Sequence, residues 1–271
     1  MSPLRLLNRV GVYGFLGAMV FLSVFPFLWM VVGMTNTTGD IILGHLSLGH
    51  AFLDNTAKFF VQANAPLIFW NSAKISLFGT ALTLIVSSFA GYGFEIFRSP
   101  TRDSLYAGLL FTIMIPFAVL MIPLFMIMGK LGLINTHIAI ILPTVASGFV
   151  IFYFRQATKA FPSELRDAAR VDGLKEWQIF LYIYIPTMRS TYAAAFIIVF
   201  MATWNNYLWP LVVLQTNEMK TITLVISSLA SAYYPDYGVV MVGALLATLP
   251  TLVVFFTMQR QFVQGMLGSI K

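Results

Sequence analysis

Six times along this chain, charged residues vanish for about twenty residues or more, the length an α-helix needs to cross the hydrocarbon core of a bilayer. The runs place spans at about 10–34, 75–94, 104–128, 136–154, 190–214 and 237–259. Lipid offers no partner to an open strand edge, so runs of this kind are helices. The chain is 59% hydrophobic and 10% charged, far from the roughly 45–50% and 25% of soluble domains. The expected fold class is all-α: a polytopic membrane protein of six transmembrane helices in a single domain, 1–271. The first run exceeds the roughly 7–15 apolar residues of a cleaved signal peptide, so it is expected to remain as the first helix.

Orientation follows from the basic residues, which collect on cytoplasmic loops. Arg5, Arg9, Arg98, Arg102, Arg155, Lys159, Arg166, Arg170, Lys175, Arg189, Arg260 and Lys271 fall on one side of this arrangement, twelve of the 16 Lys and Arg. Lys58, Lys74, Lys130 and Lys220 fall on the other. Both termini, the loop at 159–186 and the tail at 260–271 are therefore expected in the cytoplasm. Basic loops facing anionic lipid account for the net charge of +6, with no nucleic-acid partner. Without cysteine there is neither a disulfide framework nor a thiolate metal site, and no metal is expected.

Between the spans, the outward segment 35–70 is expected to hold a short helix near 51–62. The apolar run 221–232 is too short to cross and is expected to fold back or lie in the interface. Pro116 and Pro123 fall inside the third span, where proline removes a backbone donor and favours a kink. Such a kink either lines a pathway or merely fits the bundle.

The segment 162–186 is where the chain becomes strongly charged: Arg166, Asp167, Arg170, Asp172, Lys175 and Glu176 lie between two apolar runs. Pro162 and Ser163 suit a helix start, with Ser as the cap, and Glu164 stands in the first turn against the helix dipole. Leu165, Ala168, Ala169 and Asp172 recur at i, i+3, i+4 and i+7 on one face. Gly173 supplies a C-terminal stop, and a second helix over 175–184 leads to Pro186. Paired alanines let a foreign surface approach a helix backbone closely. An ordinary solvated loop with good caps explains the same pattern.

The spacing Asp167-Ala168-Ala169, three residues, Gly173, nine residues, Ile183-x-Ile185-Pro186 resembles the EAA loop of importer-type ABC transporter permeases. Pro26-Phe27-Leu28-Trp29, Asn71-Ser72, Leu131 to Thr136, and Trp204-Asn205-Asn206-Tyr207-Leu208-Trp209-Pro210-Leu211 look like the sugar-importing members, in particular the six-span permease type of the maltose transporter. The C-terminal Gln259 to Met266 is similar too. The family usually has Glu where this chain has Asp167, and Glu95 stands where small or basic residues are more usual; no role is assigned to it.

This resemblance implies a type I importer fold in which a 164–173 coupling helix docks on an ATPase. Glu164, Asp167, Ala168, Ala169, Asp172, Gly173 and Pro186 would be its coupling residues. It implies a homologous second permease, two copies of a cytoplasmic ATPase subunit that bind ATP and Mg, an extracytoplasmic sugar-binding protein, and a bacterial or archaeal plasma (inner) membrane. Gln264 and Gly265 would be tail contacts to the ATPase, unless the tail is a free end.

The residues agree on the energy source. A P-loop needs G-x-x-x-x-G-K-[ST], but the one Gly-Lys pair, Gly129-Lys130, runs into Leu131. The chain is therefore not expected to be an enzyme or to hold a cofactor. Ion-coupled transporters carry ionisable groups inside their spans, whereas here the expected spans hold only His137, near an outer end. A secondary transporter, a scaffold without transport activity, and a permease for another polar solute such as a glycerol phosphate are the alternatives. For a pathway, Trp204, Asn205, Asn206 and Tyr207 offer amides and ring faces to a sugar. They would equally serve to hold helices together or seal the outer mouth.

Overall fold

The computed structural model describes residues 3–267, with side chains described for residue 9 and for 11–263. Every regular element among them is a helix, and the chain divides into two compact units: Met1–Pro66 with Val225–Leu249, and Leu67–Leu224 with Pro250–Lys271.

In the first unit, α1 (Pro3–Gly33) is apolar over Gly11–Gly33 and unburied along its best spanning window, the condition of a helix whose solvent is lipid. A capping box then starts α2 (Thr38–Ile42), where Thr37 and Asp40 each accept the other's backbone N–H. The helix expected near 51–62 is α3 (Phe52–Gln62). Its Asn55 is buried, and Nδ2 donates to the carbonyls of Met34 and Asn36, both at 2.9 Å. Thr38 Oγ1 donates to Asp236 Oδ1 (3.0 Å) and accepts the N–H of Tyr237 (3.0 Å), which opens α15 (Tyr237–Leu267).

The second unit is organised by α4 (Ala65–Ile96). This helix begins ten residues before the expected span, because a lone Lys74 does not end it: the ammonium lies 5.7 Å from the centre of the Trp70 ring while its stem stays along the helix. Ser72, Ser76, Thr80, Thr83 and Ser87 form one buried face, their small side chains letting neighbours come close. The approach is tightest at Gly91, where a Cβ would overlap Phe154 and the backbone of Arg155.

Three spans are continuous, Gly11–Gly33, Ala65–Ile96 and Tyr237–Val263, and three more are bent pairs. In the first pair, α5 (Pro100–Ile113) and α6 (Phe117–Lys130) meet at 103°, with Pro116 extended at the break and Pro123 inside α6. In the second, α7 (His137–Ile141) runs through a 3₁₀ turn (Leu142–Thr144) to α8 (Gly148–Thr158), with a bend of 41°. The charged segment follows as α9 (Ser163–Val171) and α10 (Glu176–Ile179), then a π turn (Phe180–Tyr184) and α11 (Ile185–Thr187). An 80° bend leads from there into α12 (Arg189–Trp204). Counting each bent pair once gives six spans.

The fifth expected span, 190–214, is not one rod. It ends at Trp204 and restarts as α13 (Leu208–Val213). Pro210 explains this: in a continuous helix its ring would strike the carbonyl of Asn206, whereas in the first turn of a new helix its missing N–H costs nothing. Next, α14 (Ile222–Ala230) occupies the short apolar run. Trp209, wholly buried, donates Nε1–H to the Ala139 carbonyl at 2.8 Å in a core with Ile75, Met128, Ile140 and Val213.

Candidate functional site

Pro162 (φ −64°, ψ 122°) turns the chain into α9, so Ser163 becomes the first helical residue and makes no side-chain cap, contrary to the expectation from sequence. The other end is a Schellman motif. Gly173, at φ +82°, gives its N–H to the Arg170 carbonyl, and Leu174 gives its own to Ala169, both at 3.0 Å. That left-handed conformation is cheap only without a Cβ. At the start of α10 the Lys175 N–H donates to Gln178 Oε1 (2.8 Å). The second helix expected over 175–184 is interrupted: after one turn it widens to the π turn, four residues before Pro186, whose absent N–H leaves the Tyr182 carbonyl without its usual partner.

Of the face expected on α9, Leu165, Ala168 and Asp172 are exposed and Ala169 alone is buried, at 3%. Glu164, Asp167, Ala168 and Val171 fall at i, i+3, i+4 and i+7 and are exposed, Val171 at 88%. Arg166 is half-buried on the opposite side. The two alanines therefore point apart, and only Ala168 of the pair is presented outward. Pro186 is exposed as well.

Glu176 gathers this segment. Its Oε1 accepts from Tyr92 Oη of α4 (2.6 Å) and from Arg166 Nε (2.8 Å). Its Oε2 accepts from Nη2 of Arg166 (3.3 Å) and of Arg170 (3.1 Å). Charge-assisted contacts of this kind are the strong class of hydrogen bond. Beneath them Tyr92, Phe161, Phe180, Tyr184 and Met188 form an aromatic-rich core, with Phe180 stacked on Tyr184 and Tyr184 Oη 2.7 Å from Thr158 Oγ1.

Three residues farther along α4, Glu95 takes a role the sequence did not assign. It accepts from Nε of Arg155 (3.2 Å), whose Nη2 also reaches Asp103 Oδ1 (2.6 Å). Arg155 is 5% exposed, and its guanidinium lies 3.9 Å from the centre of the Tyr106 ring. The partners are far apart in sequence, so no local pattern announces them; the one signal was the unexplained acid at the end of an apolar run.

The break between α12 and α13 borders a cavity of about 590 Å³, within the usual range of small-molecule sites. Asn205, Asn206 and Tyr207 line it, together with Thr83, Phe117 and Thr144. Trp204 does not: its ring is 3% exposed and stacked on Phe200, turned away from the cavity by the last turn of α12. Several hydroxyl protons are already committed, Thr144 to Ile141 O (2.7 Å) and Thr203 to Val199 O (2.8 Å), and Asn205 Nδ2 donates to Met201 O (2.9 Å). The Asn206 carboxamide and the Tyr207 hydroxyl make no hydrogen bond to the described residues. No Lys, Arg, Asp or Glu lines the cavity. His137 lies elsewhere, with Nε2 3.1 Å from the Met219 carbonyl oxygen.

Gln264 and Gly265 fall in the last turns of α15, and their side chains lie outside the described residues.

Comparison with known proteins now bears on this geometry. Residues 83–268 match the family model of the binding-protein-dependent transport system inner membrane component. The chain is 69% identical to the lactose transport system permease protein LacG of Rhizobium radiobacter, covering 98% of each. It is 32% identical to the arabinooligosaccharides transport system permease protein AraQ of Bacillus subtilis, over 100% of this chain and 98% of that one. To the sn-glycerol-3-phosphate transport system permease protein UgpE of Brucella abortus it is 30% identical, with 93% of each covered. A chain in the crystal structure of a bacterial ABC transporter involved in the import of the acidic polysaccharide alginate superposes with a TM-score of 0.79 at 20% identity, covering 97% of this chain and 99% of that one. The chain belongs to the inner membrane components of binding-protein-dependent transport systems and has the fold of a type I ABC importer permease.

Proposed function

We propose that this chain is the transmembrane permease subunit of an ATP-driven sugar importer and forms half of its translocation pathway. The observation that carries the reading is identity of 69% along nearly the whole of a lactose permease. In this reading both termini and α9 face the cytoplasm, and a homologous permease supplies the other half of the pathway. Of two ATPase subunits, which bind ATP and Mg, one docks on the exposed face of α9 formed by Glu164, Asp167 and Ala168. Gly173 and Asp172 hold the end of that helix, and Pro186 marks the return to the bundle. Gln264 and Gly265 give the tail a second contact to the ATPase, and an extracytoplasmic binding protein delivers the sugar. ATP shifts the inward-open and outward-open states only by binding them unequally, so docking on α9 differs between the open and closed ATPase dimer.

Asn205, Asn206 and Tyr207 contact the sugar in the cavity beside the helix break, while Trp204 supports them from within. An uncharged cavity favours a neutral sugar over glycerol phosphate, the second reading, because a phosphate asks for Arg or Lys. The test is reconstitution of the chain with its companion permease, ATPase and binding protein in vesicles. ATP-dependent uptake of lactose or another sugar, absent from vesicles holding this chain alone, is the expected result. Accumulation by the chain alone, or uptake of glycerol phosphate but of no sugar, would overturn it.

A further inference from the structure

We propose that Glu176, held by Tyr92, Arg166 and Arg170, is the positioning residue that makes α9 move as one body with the C-terminal end of α4. The proposal rests on the reading that the ATPase docks on α9.

Pro162 precedes α9 in an extended conformation and Gly173 follows it in the left-handed region, so the backbone turns at both ends of this helix. Glu176 ties the helix across the second turn. It stands just beyond Gly173, yet it accepts two hydrogen bonds from Arg166 and one from Arg170 on the helix before the turn, and one from Tyr92 on α4. The same strut is seated by Ala169, buried on the inward side, and by the Phe97 ring, 5.4 Å from the Arg166 guanidinium. One helical turn past Tyr92, Glu95 grips Arg155, which grips Asp103, so displacement of this end of α4 reaches α8 and α5 at once. The exposed acids of α9 are then free for a partner, because the inward carboxylate alone holds the internal joint.

The test uses the reconstituted complex, comparing sugar moved per ATP hydrolysed for wild type, Tyr92→Phe and Glu176→Gln, with Asp167→Lys as the docking control. Tyr92→Phe and Glu176→Gln are expected to retain the ATPase subunits and hydrolyse ATP while moving about tenfold less sugar per ATP, the factor for one hydrogen bond to a charged group. Asp167→Lys is expected to lose the ATPase. If it does, and the other two move as much sugar per ATP as wild type, the docking reading stands and the joint is overturned. If Asp167→Lys binds ATPase and transports normally, the docking reading falls and the joint with it.

Should Glu176→Gln fail to accumulate, Tyr92→Phe decides, since it removes a single hydroxyl. A second readout separates transmission from mere stability. The chain has no cysteine, so spin labels placed at Ser163, exposed on α9, and at Gly93 of α4, where a Cβ meets open space, report the α9–α4 distance. That distance is expected to be the same with and without ATP in wild type and to split into two in Tyr92→Phe. A wild-type distance that shifts by several ångströms between the two states would overturn the proposal.

Discussion

At the C-terminal end of α4, the polar side chains are tied to distant partners: Tyr92 to Glu176, and Glu95 to Arg155 and through it to Asp103. At the break between α12 and α13, Asn206 and Tyr207 face a cavity with their polar groups uncommitted. Both places put polar groups into a largely apolar body, where an unmatched one is expensive. The first offsets that cost internally and becomes stiff. The second leaves its groups for something that arrives from outside. Bonding within the chain thus tells two sets of polar side chains apart, one tied to other helices and one facing a cavity.

The largest expected break in this contrast is Arg155→Leu. It leaves Glu95 with only Arg98, at 3.8 Å, and gives Asp103 up to solvent, at a cost of about 3 kcal/mol, read as a fall in the unfolding temperature of the solubilised chain and in its yield. Next is Gly173→Val. Its Cβ would meet open space, so the penalty is the left-handed backbone alone, about 1–3 kcal/mol. The chain should insert normally yet lose uptake or ATPase association, and normal uptake would count against α9 as the coupling element. Smallest in stability is the pair Asn205→Ala and Tyr207→Phe, each expected within about 0.5 kcal/mol of wild type but with altered sugar affinity or transport rate. Unchanged kinetics would remove both from the pathway.

Much of the fold was legible before any coordinates. Charge-free length marks the spans, Gly173 marks the end of α9, and the short helices near 52–62 and 222–230 follow from segments too short to cross. What stayed hidden has two physical causes. Charge counting treats every Lys and Arg as a loop residue, so Arg155 and Arg166 entered as orientation signals although both are drawn inward by acids. Glu95 and Arg155 are 60 residues apart, and Tyr92 and Glu176 are 84 apart, beyond any local pattern. Helical spacing put both alanines of α9 on one face, but adjacent residues lie about 100° apart on a helix, and with Arg166 closing on Glu176 Ala169 turns inward while Ala168 stays out. Asn205 to Tyr207, singled out for their chemistry, line the cavity. Trp204 was grouped with them by adjacency, although the last turn of α12 points it into the core.

Pro210 favours the break between α12 and α13, and the carbonyl of Asn206 that it leaves over is taken by Thr223 Oγ1 at 3.0 Å. The notch is accordingly written into the covalent chain. Asn205, Asn206 and Tyr207 form the linker itself, so exchanging them alters the cavity wall without rebuilding either rod beside it.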